Sequence, residues 1–288
     1  MDGVAFKELT AAGVAAAVRA AIPLIATRTR PDFMDALREA AARETGERAR
    51  SVLAMMLEND DIARRDHVPI CQDTGSVWVY LEVGCDQSVP GDIFSLVDDA
   101  VADAYADARL RMSILADALV QRENTTTNAP AFTEVGFSGR PGARLHVMLK
   151  GGGSDNASRV VMLPPGAGYE GIEEAVVSCV REKGSSACPP LLIGIGVGAT
   201  FDKVAGLAKK ALLRPVGIAS SDPRVAEIEE RLLRAVNATG VGPAGLGGDT
   251  TALAVNINTA PCHIAALPLA INMGCCAMRS ISLELEEA

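Results

Sequence analysis

Apolar residues recur every three or four positions over the first 66 residues, and charged residues stand between them. The spacing is clearest in two runs, Phe33 to Ala41 and Val52 to Leu57. This period places apolar side chains along one face of an α-helix, and Pro31 suits the first turn of such a helix. The pattern therefore predicts a helical N-terminal lobe that ends at about residue 66.

Beyond this lobe the pattern changes to short β-rich runs separated by glycine and proline. Val77–Leu81 and Leu145–Leu149 are rich in the residue types that favour strands. Longer amphipathic stretches predict a helix over residues 92–112 and a second over Tyr169–Lys183, which ends at the glycine that follows. Strands and helices are thus expected to alternate through the middle of the chain.

The last third of the chain continues this alternation. A buried strand after Pro189 is expected to run into a glycine turn, and Thr200 can cap the helix that follows. A further strand is predicted over Ala252–Ile257. We expect an α/β fold, with a mixed sheet, flanking helices and a helical N-terminal lobe. We also expect a single domain over residues 1–288, whose α/β body begins at about residue 67.

Composition and charge narrow the possible functions. The chain carries 27 Lys and Arg against 36 Asp and Glu, a formal net charge of −9, and only 3% of its residues are aromatic. A broad basic surface with stacking platforms for nucleic acid is therefore not expected. The longest apolar runs, Leu191–Phe201 and Ile264–Met278, are shorter than the roughly 20 residues that span a bilayer. We expect no nucleic-acid partner and no membrane segment.

Seven cysteines, an odd number without a Cys-x-x-Cys pair, do not have the pattern of a disulfide framework. The N-terminus lacks the basic and apolar regions of a secretory signal. Both observations favour a reducing, cytoplasmic location. In that setting thiols stay available as metal ligands or nucleophiles.

Three of the cysteines, Cys71, Cys188 and Cys275, stand beside turn residues at the edges of predicted elements. Loops held by a rigid scaffold often supply ligands, whereas Cys179 lies on the apolar face of its helix and is expected to be structural. The three thiols alone are compatible with core packing, a zinc site or an iron–sulfur cluster. Structural zinc would need a fourth ligand, while a cluster held by three thiolates leaves one iron open to a substrate oxygen.

Several motifs around these residues resemble one family. They are Ile70-Cys-Gln-Asp-Thr-Gly, Leu110-Arg-Met-Ser, Asn124-Thr-Thr-Thr-Asn-Ala-Pro, Lys150-Gly-Gly-Gly-Ser-Asp-Asn, Ala187-Cys-Pro-Pro, Lys209-Lys-Ala-Leu-Leu-Arg-Pro and Gly274-Cys-Cys-Ala-Met-Arg. Their composition and order resemble the α subunit of class I, iron–sulfur fumarate hydratases and of the related L(+)-tartrate dehydratases. The similarity runs from about Val68 to Arg279.

The resemblance implies a [4Fe-4S] cluster that is held by Cys71, Cys188 and Cys275. Cys276 stands beside the third position and leaves the choice of ligand open, although Cys275 has the family's spacing to Arg279. The implied activity is that of a hydro-lyase, the reversible hydration of fumarate to L-malate. Dehydration of L(+)-tartrate and hydration of mesaconate are the alternatives within the same class.

Removal of water from a 2-hydroxydicarboxylate needs a group that takes the carbon-bound proton and a Lewis acid that stabilises the departing oxygen. The resemblance assigns the acid/base chemistry to Asp73 and His263. It assigns substrate contacts to five residues, which are Gln72, Arg111, Gly153, Ser154 and Asn156. Arginine can bind a carboxylate through two hydrogen bonds, and glycines let backbone N–H groups approach an anion closely.

Partners and a different class of function complete the expectations. Single-chain relatives of this family carry a further domain that completes the active site, so the resemblance implies a separate β subunit and an α2β2-type heteromer.

Nucleotide binding is the hypothesis from another class, because Gly194–Ala199 has a loose G-x-G-x-x-A pattern between a predicted strand and a helix. No acidic residue at a strand end follows about 20 positions later, so tight strand-to-helix packing is the simpler interpretation.

Overall fold

The computed structural model describes residues 4–286. The chain folds into two compact units. Unit 1 comprises the chain up to Arg30, Asp60–Gly152 and the segment from Arg279 onward, and unit 2 comprises Pro31–Asn59 and Gly153–Met278. Each unit contains its own β-sheet and its own hydrophobic core. Both units are therefore assembled from segments that lie far apart in the sequence.

The order of elements confirms the predicted α/β class, with mixed sheets, flanking helices and a helical N-terminal region. The helices are α1 (Ala11–Ala26), α2 (Pro31–Arg43), α3 (Glu47–Asp66), α4 (Val97–Asp107), α5 (Gly152–Asn156), α6 (Gly168–Lys183), α7 (Phe201–Ala211) and α8 (Pro223–Asn237). The strands are β1 (Ser76–Gly84), β2 (Phe132–Ser138), β3 (Ala143–Lys150), β4 (Arg159–Leu163), β5 (Leu191–Ala199), β6 (Ala252–Cys262), β7 (Leu267–Gly274) and β8 (Arg279–Glu284).

Unit 1 is built on a four-stranded sheet with the strand order β2-β1-β3-β8. Strand β1 pairs in parallel with β2 and antiparallel with β3, and β3 pairs antiparallel with β8. Alternate residues of β1, from Val77 to Val83, are buried in a core that also contains the apolar sides of α1 and α4. The sheet thus supports the cysteine motif that precedes β1 and the glycine motif that follows β3.

The apolar residues of helix α1 pack into the core of unit 1. Residues 11–43 are long and apolar enough, by length and composition alone, to qualify as a candidate membrane span. In the structure this stretch is divided into α1 and α2, and α1 has only 16 residues. Its buried residues, which include Val14, Val18 and Ile22, belong to the core of unit 1. This burial is what a core helix shows.

Unit 2 contains a second four-stranded sheet with the strand order β4-β7-β5-β6. Strand β5 pairs in parallel with β6 and antiparallel with β7, and β4 pairs antiparallel with β7. Helices α6 and α8 bury Val176, Val180, Leu232 and Val236 in the core that includes this sheet. The sheet of unit 2 is therefore mixed, like that of unit 1.

Glycines in β5 permit close packing of α7. A Cβ atom at Gly194 or Gly196 would meet the main-chain carbonyl oxygens of Ala208 and Val204, respectively. The strand continues through Gly194 and Gly196, and the expected glycine turn is confined to its end, where Gly198 and Ala199 have positive φ angles of 92° and 60°. Because Gly194 and Gly196 lie within an extended strand packed against α7, the nucleotide-binding hypothesis loses the glycine loop on which it rested.

A buried ionic cluster ties α8 to the sheet of unit 2. Glu229 is 6% exposed, and its carboxylate accepts hydrogen bonds from the guanidinium of Arg214. It also accepts the N–H groups of Ser220 and Ile257. A buried carboxylate persists only when donors surround it in this way. The lysine-rich motif that ends at Pro215 thus contributes a structural ion pair through Arg214.

Predicted boundaries differ in detail from the observed ones. Helix α4 is shorter at both ends than the helix predicted over residues 92–112, and just beyond its C-terminal end Arg109 adopts a φ of 51°, outside the helical region. Helix α6 confirms the predicted helix over Tyr169–Lys183 to within one residue. Of the N-terminal helices, α1 belongs to unit 1 and α2 to unit 2. The single domain expected over residues 1–288 stays a prediction.

Candidate functional site

The loop of residues 71–75, hereafter the Cys71–Gly75 loop, leads directly into β1 and is held through its main-chain carbonyl groups. The hydroxyl of Tyr105 lies 3.1 Å from the carbonyl oxygen of Thr74 and 2.9 Å from that of Gly75. The Nδ2 group of Asn128 donates to the same Gly75 carbonyl at 3.1 Å. Burial raises the pKa of Tyr105, so its hydroxyl stays a neutral donor. These contacts fix the backbone and leave the side chains of residues 71–73 available for chemistry.

Asp73 is oriented by backbone donors on both sides of its carboxylate. Oδ1 accepts the N–H of Gly75 at 3.0 Å, and Oδ2 accepts the N–H of Gly152 at 2.7 Å. Its main-chain carbonyl accepts Nη1 of Arg279 at 2.7 Å. Because both oxygens have defined partners, the carboxylate has one preferred orientation. Asp73 is only partly buried, which leaves it accessible to a ligand.

Arg111 is tied to the same loop through its backbone. The hydroxyl of Thr74 donates to the carbonyl oxygen of Arg111, and Ser113 N–H donates to Oδ1 of Asn128 at 2.7 Å. The Arg111 side chain is exposed. It lies beyond the end of α4, so interaction with a helix dipole does not explain it. Unit 1 therefore brings Cys71, Gln72, Asp73 and Arg111 onto one hydrogen-bonded support.

Within this loop Cys71 and Gln72 have little packing of their own. The thiol of Cys71 donates to Oε1 of Gln72, with a sulfur–oxygen distance of 3.3 Å. Gln72 is exposed and Cys71 is partly buried. Neither side chain serves the core of unit 1, which favours a functional over a structural role for both.

Cys188 and the Cys275–Cys276 pair are brought together within unit 2. The N–H of Cys276 donates to the carbonyl oxygen of Cys188 at 2.9 Å. Cys188 follows a short 3₁₀ turn and adopts a φ of 56°, in the left-handed region. For residues other than glycine this conformation is unfavourable by roughly 1 kcal/mol or more, and such strain is often found at functional sites. Seven other described non-glycine residues adopt the same region, so the ligand role of Cys188 stays a prediction.

Three predicted substrate-binding residues lie on α5. A Cβ atom at Gly153 would be 3.3 Å from the carbonyl oxygen of Ser186, so α5 packs closely against the turn that precedes Cys188. Gly153 and Asn156 are exposed, whereas Ser154 is 4% exposed. The backbone at Gly153 and the amide of Asn156 can thus contact a ligand, while the side chain of Ser154 faces the protein.

His263 lies in the turn between β6 and β7 and is exposed. Its Nδ1 atom accepts the N–H of Ala265 at 3.0 Å. When the ring is neutral, this hydrogen bond assigns the proton to Nε2. His263 therefore presents an Nε2–H group to the surface, which is suited to proton transfer.

The three predicted cluster ligands are divided between the units, with Cys71 in unit 1 and Cys188 and Cys275 in unit 2. Over residues 4–286, no group of three or more Cys, His, Asp or Glu side chains is positioned to hold a metal ion. The thiols of Cys71, Cys188 and Cys275 are suitable ligands for an iron–sulfur cluster, because none of the three is in a disulfide and each is at least partly exposed. By contrast, Cys179 is buried and burial raises the pKa of its thiol, which confirms its structural role.

The residues that hold the Cys71–Gly75 loop are not indicated by the sequence pattern. The spacing of Tyr105 places it on the apolar face of α4, and helical periodicity gives no indication of the role of its hydroxyl. Asn128 and Arg279 belong to the recognised motifs but were given no role. A charged residue at the start of the apolar strand β8 is the one sequence feature that could have singled out Arg279.

The sequence of the chain is similar to those of one known protein family. Residues 15–284 match the family described as fumarate hydratase (Fumerase). The chain is 38% identical over 255 residues to a Methanocaldococcus jannaschii protein provisionally named L(+)-tartrate dehydratase subunit alpha, with 86% of this chain and 89% of the relative covered. It is 32% identical over 258 residues to the L(+)-tartrate dehydratase subunit alpha of Escherichia coli K12, with 89% and 85% covered.

These matches define the class as hydro-lyases, enzymes that add or remove water. Within that class the chain belongs to the fumarate hydratase (Fumerase) family, whose match spans nearly all of it. Both of the relatives named above bear the name of L(+)-tartrate dehydratase subunit alpha, the first of them provisionally. The resemblance inferred from the motifs is thereby confirmed.

Proposed function

We propose that the chain is the α subunit of a [4Fe-4S]-dependent hydro-lyase that acts on four-carbon dicarboxylates. The observation that carries the proposal is the hydrogen-bonded Cys71–Gly75 loop, whose Thr74 hydroxyl donates to the backbone of Arg111. A thiol, a carboxylate and a guanidinium that share one rigid support are the groups that this reaction needs. The family match and the names of the relatives support the same class of reaction.

Cys71, Cys188 and Cys275 are the proposed ligands of the cluster, and Cys276 is the alternative third ligand. Thiolate sulfur is the ligand that the irons of such clusters take from proteins. When bound, a cluster with one iron free of protein ligands supplies a Lewis acid for the substrate hydroxyl.

The residues of the chain itself hold the substrate and move the proton. Asp73 is the proposed acid/base group at the cysteine motif, since its carboxylate is oriented by two backbone N–H groups. His263 is the second proposed acid/base group, and it acts through Nε2 because Nδ1 already accepts a hydrogen bond. A positioned acid/base group contributes roughly 10²- to 10⁴-fold to a rate.

Two positions bind the carboxylates of the substrate in this proposal. The exposed guanidinium of Arg111 can form two hydrogen bonds with one carboxylate, and the amide of Gln72 lies on the same support. Further hydrogen-bond donors lie on α5. They are the backbone of Gly153, the side-chain amide of Asn156 and the segment around Ser154. These polar groups supply orientation, while the acid/base groups supply the chemistry.

Hydration of fumarate to L-malate is the first candidate reaction, because the matching family is described as fumarate hydratase. Dehydration of L(+)-tartrate is the second, because the relatives bear that name. The substrates differ in one hydroxyl group, and mesaconate adds a methyl group. Because the relatives are alpha subunits, we further propose a separate β subunit that completes the active site in an α2β2-type heteromer.

The test is anaerobic reconstitution of the chain with its β subunit, iron and sulfide, followed by assays with fumarate, L-malate, L(+)-tartrate and mesaconate. We expect about four irons per chain and turnover of at least one of these acids. Cys188→Ser is expected to lose both, because it removes a ligand. Cys85→Ser is the matched control, since this exposed thiol lies outside the proposed ligand set, and it should retain both.

Each part of the proposal has its own contradicting result. Reconstituted protein that stays free of iron and sulfide would contradict the cluster. A loaded enzyme that turns over none of the four acids would contradict the substrate class. Equal loss of iron in Cys85→Ser and Cys188→Ser would contradict the ligand assignment.

A further inference from the structure

Arg279, the first residue of β8, is a buried cation that belongs to none of the proposed substrate or cluster contacts. It is 2% exposed. Its Nη1 group donates to the main-chain carbonyl of Asp73 at 2.7 Å, and its Nε group has no hydrogen-bond partner in the described part of the chain. Burial of a guanidinium with an unsatisfied N–H group is unfavourable. Its presence here therefore calls for a specific role.

Arg279 meets the glycine segment that follows β3. In the antiparallel register Arg279 lies opposite Leu149, close to Gly151 in the sequence. A Cβ atom at Gly151 would be 3.3 Å from Oδ2 of Asp73 and 3.5 Å from Nη2 of Arg279. A guanidinium, a carboxylate and a glycine backbone thus converge within unit 1. A side chain at Gly151 would crowd the carboxylate of Asp73, while its distance to Arg279 would be an ordinary van der Waals contact.

The contacts of Asp73 divide between its backbone and its side chain. Arg279 holds the backbone carbonyl, while the N–H groups of Gly75 and Gly152 hold the two carboxylate oxygens at 3.0 and 2.7 Å. Loss of the Arg279 contact would let the peptide group of Asp73 rotate. The carboxylate would then leave the two amides, since its direction depends on the backbone that carries it.

We propose that Arg279 is a positioning residue, which holds the backbone of Asp73 so that its carboxylate stays between the amides of Gly75 and Gly152. The inference rests on the proposed function, in which Asp73 is an acid/base group. Arg279 acts through Asp73 and does not touch the substrate. A misplacement of about 1 Å in such a group can reduce a rate about 100-fold.

The first measurement compares the kinetics of Arg279→Gln and Arg279→Lys with those of the wild-type chain in the reconstituted enzyme with its β subunit. We expect kcat of Arg279→Gln to fall about 100-fold, with KM within about threefold of wild type, because proton transfer is impaired and binding is not. Arg279→Lys keeps a cationic donor, so we expect it to recover part of the lost kcat.

The second measurement is hydrogen exchange, which does not depend on turnover. The amides of Gly75 and Gly152 both donate to Asp73, so peptides that contain them should exchange roughly tenfold faster in Arg279→Gln. Peptides from the sheet of unit 2 should keep the wild-type rate. Faster exchange throughout the chain would indicate a general loss of stability and would overturn the positioning role.

Two further variants distinguish a positioning role from a general loss of stability. Arg214→Lys is the matched control, because Arg214 also makes a partly buried structural contact, with Glu229 in unit 2. It should lower stability without changing kcat or the exchange of the Gly75 peptide. Tyr105→Phe serves if the Arg279 variants fail to fold. It removes the hydroxyl that contacts the same loop, and it should lower kcat and local protection together.

Two results would overturn the inference. A rise in KM at unchanged kcat in Arg279→Lys would identify Arg279 as a group that binds the substrate directly. Unchanged exchange at Gly75 and Gly152 would show that Arg279 does not hold Asp73. If the wild-type enzyme turned over none of the four acids, the proposed function would fail, while hydrogen exchange would still decide whether Arg279 positions Asp73.

Discussion

At the scale of single residues, His146 illustrates how burial changes the chemistry of one side chain. It is 4% exposed, its Nδ1 atom lies 2.7 Å from Oγ of Ser282, and its ring stacks on Tyr80 with centroids 5.4 Å apart. Burial lowers the pKa of His146 to about 4, although the nearby carboxylate of Glu82 opposes the shift. The imidazole is therefore neutral at pH 7 and packs as part of the sheet of unit 1.

This shift predicts a loss of stability in mild acid. Between pH 6.5 and 4 the unfolded chain binds a proton at His146 that the folded chain does not, so the free energy of unfolding falls as pH falls. From pH 7 to pH 5 this loss amounts to about 2 kcal/mol. His146→Gln should remove that part of the pH dependence, which urea unfolding at several pH values can measure.

The matched control for this prediction is His67→Gln, because His67 is exposed. Its pH dependence of stability should follow that of the wild-type chain. Parallel curves for His146→Gln and the wild-type chain would contradict the assignment of the acid effect to His146.

At the scale of elements, the contact between β5 and α7 depends on residues without side chains. The extended backbone of β5 comes so close to α7 that a Cβ atom at Gly196 would also lie 2.8 Å from the amide nitrogen of Ala208. Real Cβ atoms do not make such contacts, so the helix would have to move. A glycine pattern that resembles a dinucleotide-binding motif in sequence is thus explained by packing.

We expect Gly196→Ala to lower the free energy of unfolding by about 2 kcal/mol or more, because the added methyl group pushes α7 away from β5. Gly206→Ala within α7 is the matched control. A Cβ atom there meets nothing within 4 Å, so this variant should be neutral or more stable by roughly 0.5–1 kcal/mol. Denaturant unfolding measures both, and equal effects would contradict the packing argument.

At the scale of the whole molecule, each unit is closed by segments from distant parts of the chain. In unit 1 the residues Phe6 and Leu285 form a β-bridge, and β8 completes the sheet that begins with β1. Of the helices in the N-terminal region, α1 lies in unit 1 and α2 in unit 2. Local sequence patterns predict the individual elements, but they do not indicate which segments share a sheet.

The proposed β subunit leads to a prediction for the chain in solution. A partner that binds only the folded chain stabilises it by about 3 kcal/mol when its concentration is ~100-fold above the dissociation constant. Addition of the β subunit should therefore raise the thermal midpoint and produce a heteromer by size-exclusion chromatography with light scattering. The activity of the reconstituted α chain should appear only with the partner. Full activity of the α chain alone would contradict a shared active site.

Much of the fold and of the site could be predicted from the sequence. The strand around Val79 and helix α6 followed from local periodicity, which depends only on neighbours in the chain. The motif that contains Cys71 and Asp73 was recognisable because reactive residue types stood beside turn residues. The end of α4 was not predictable in the same way, since it depends on the left-handed conformation of Arg109.

Most of the elements, the family and the residues with suitable chemistry could be predicted from local sequence, because side-chain type and spacing are local properties. What holds Asp73 in place depends on tertiary packing. Its carbonyl is held by Arg279, 206 positions along the chain, and the carbonyls of the same loop are held by Tyr105 and Asn128. Main-chain carbonyl groups are the same in every residue, so which side chain reaches them is settled only when distant segments pack.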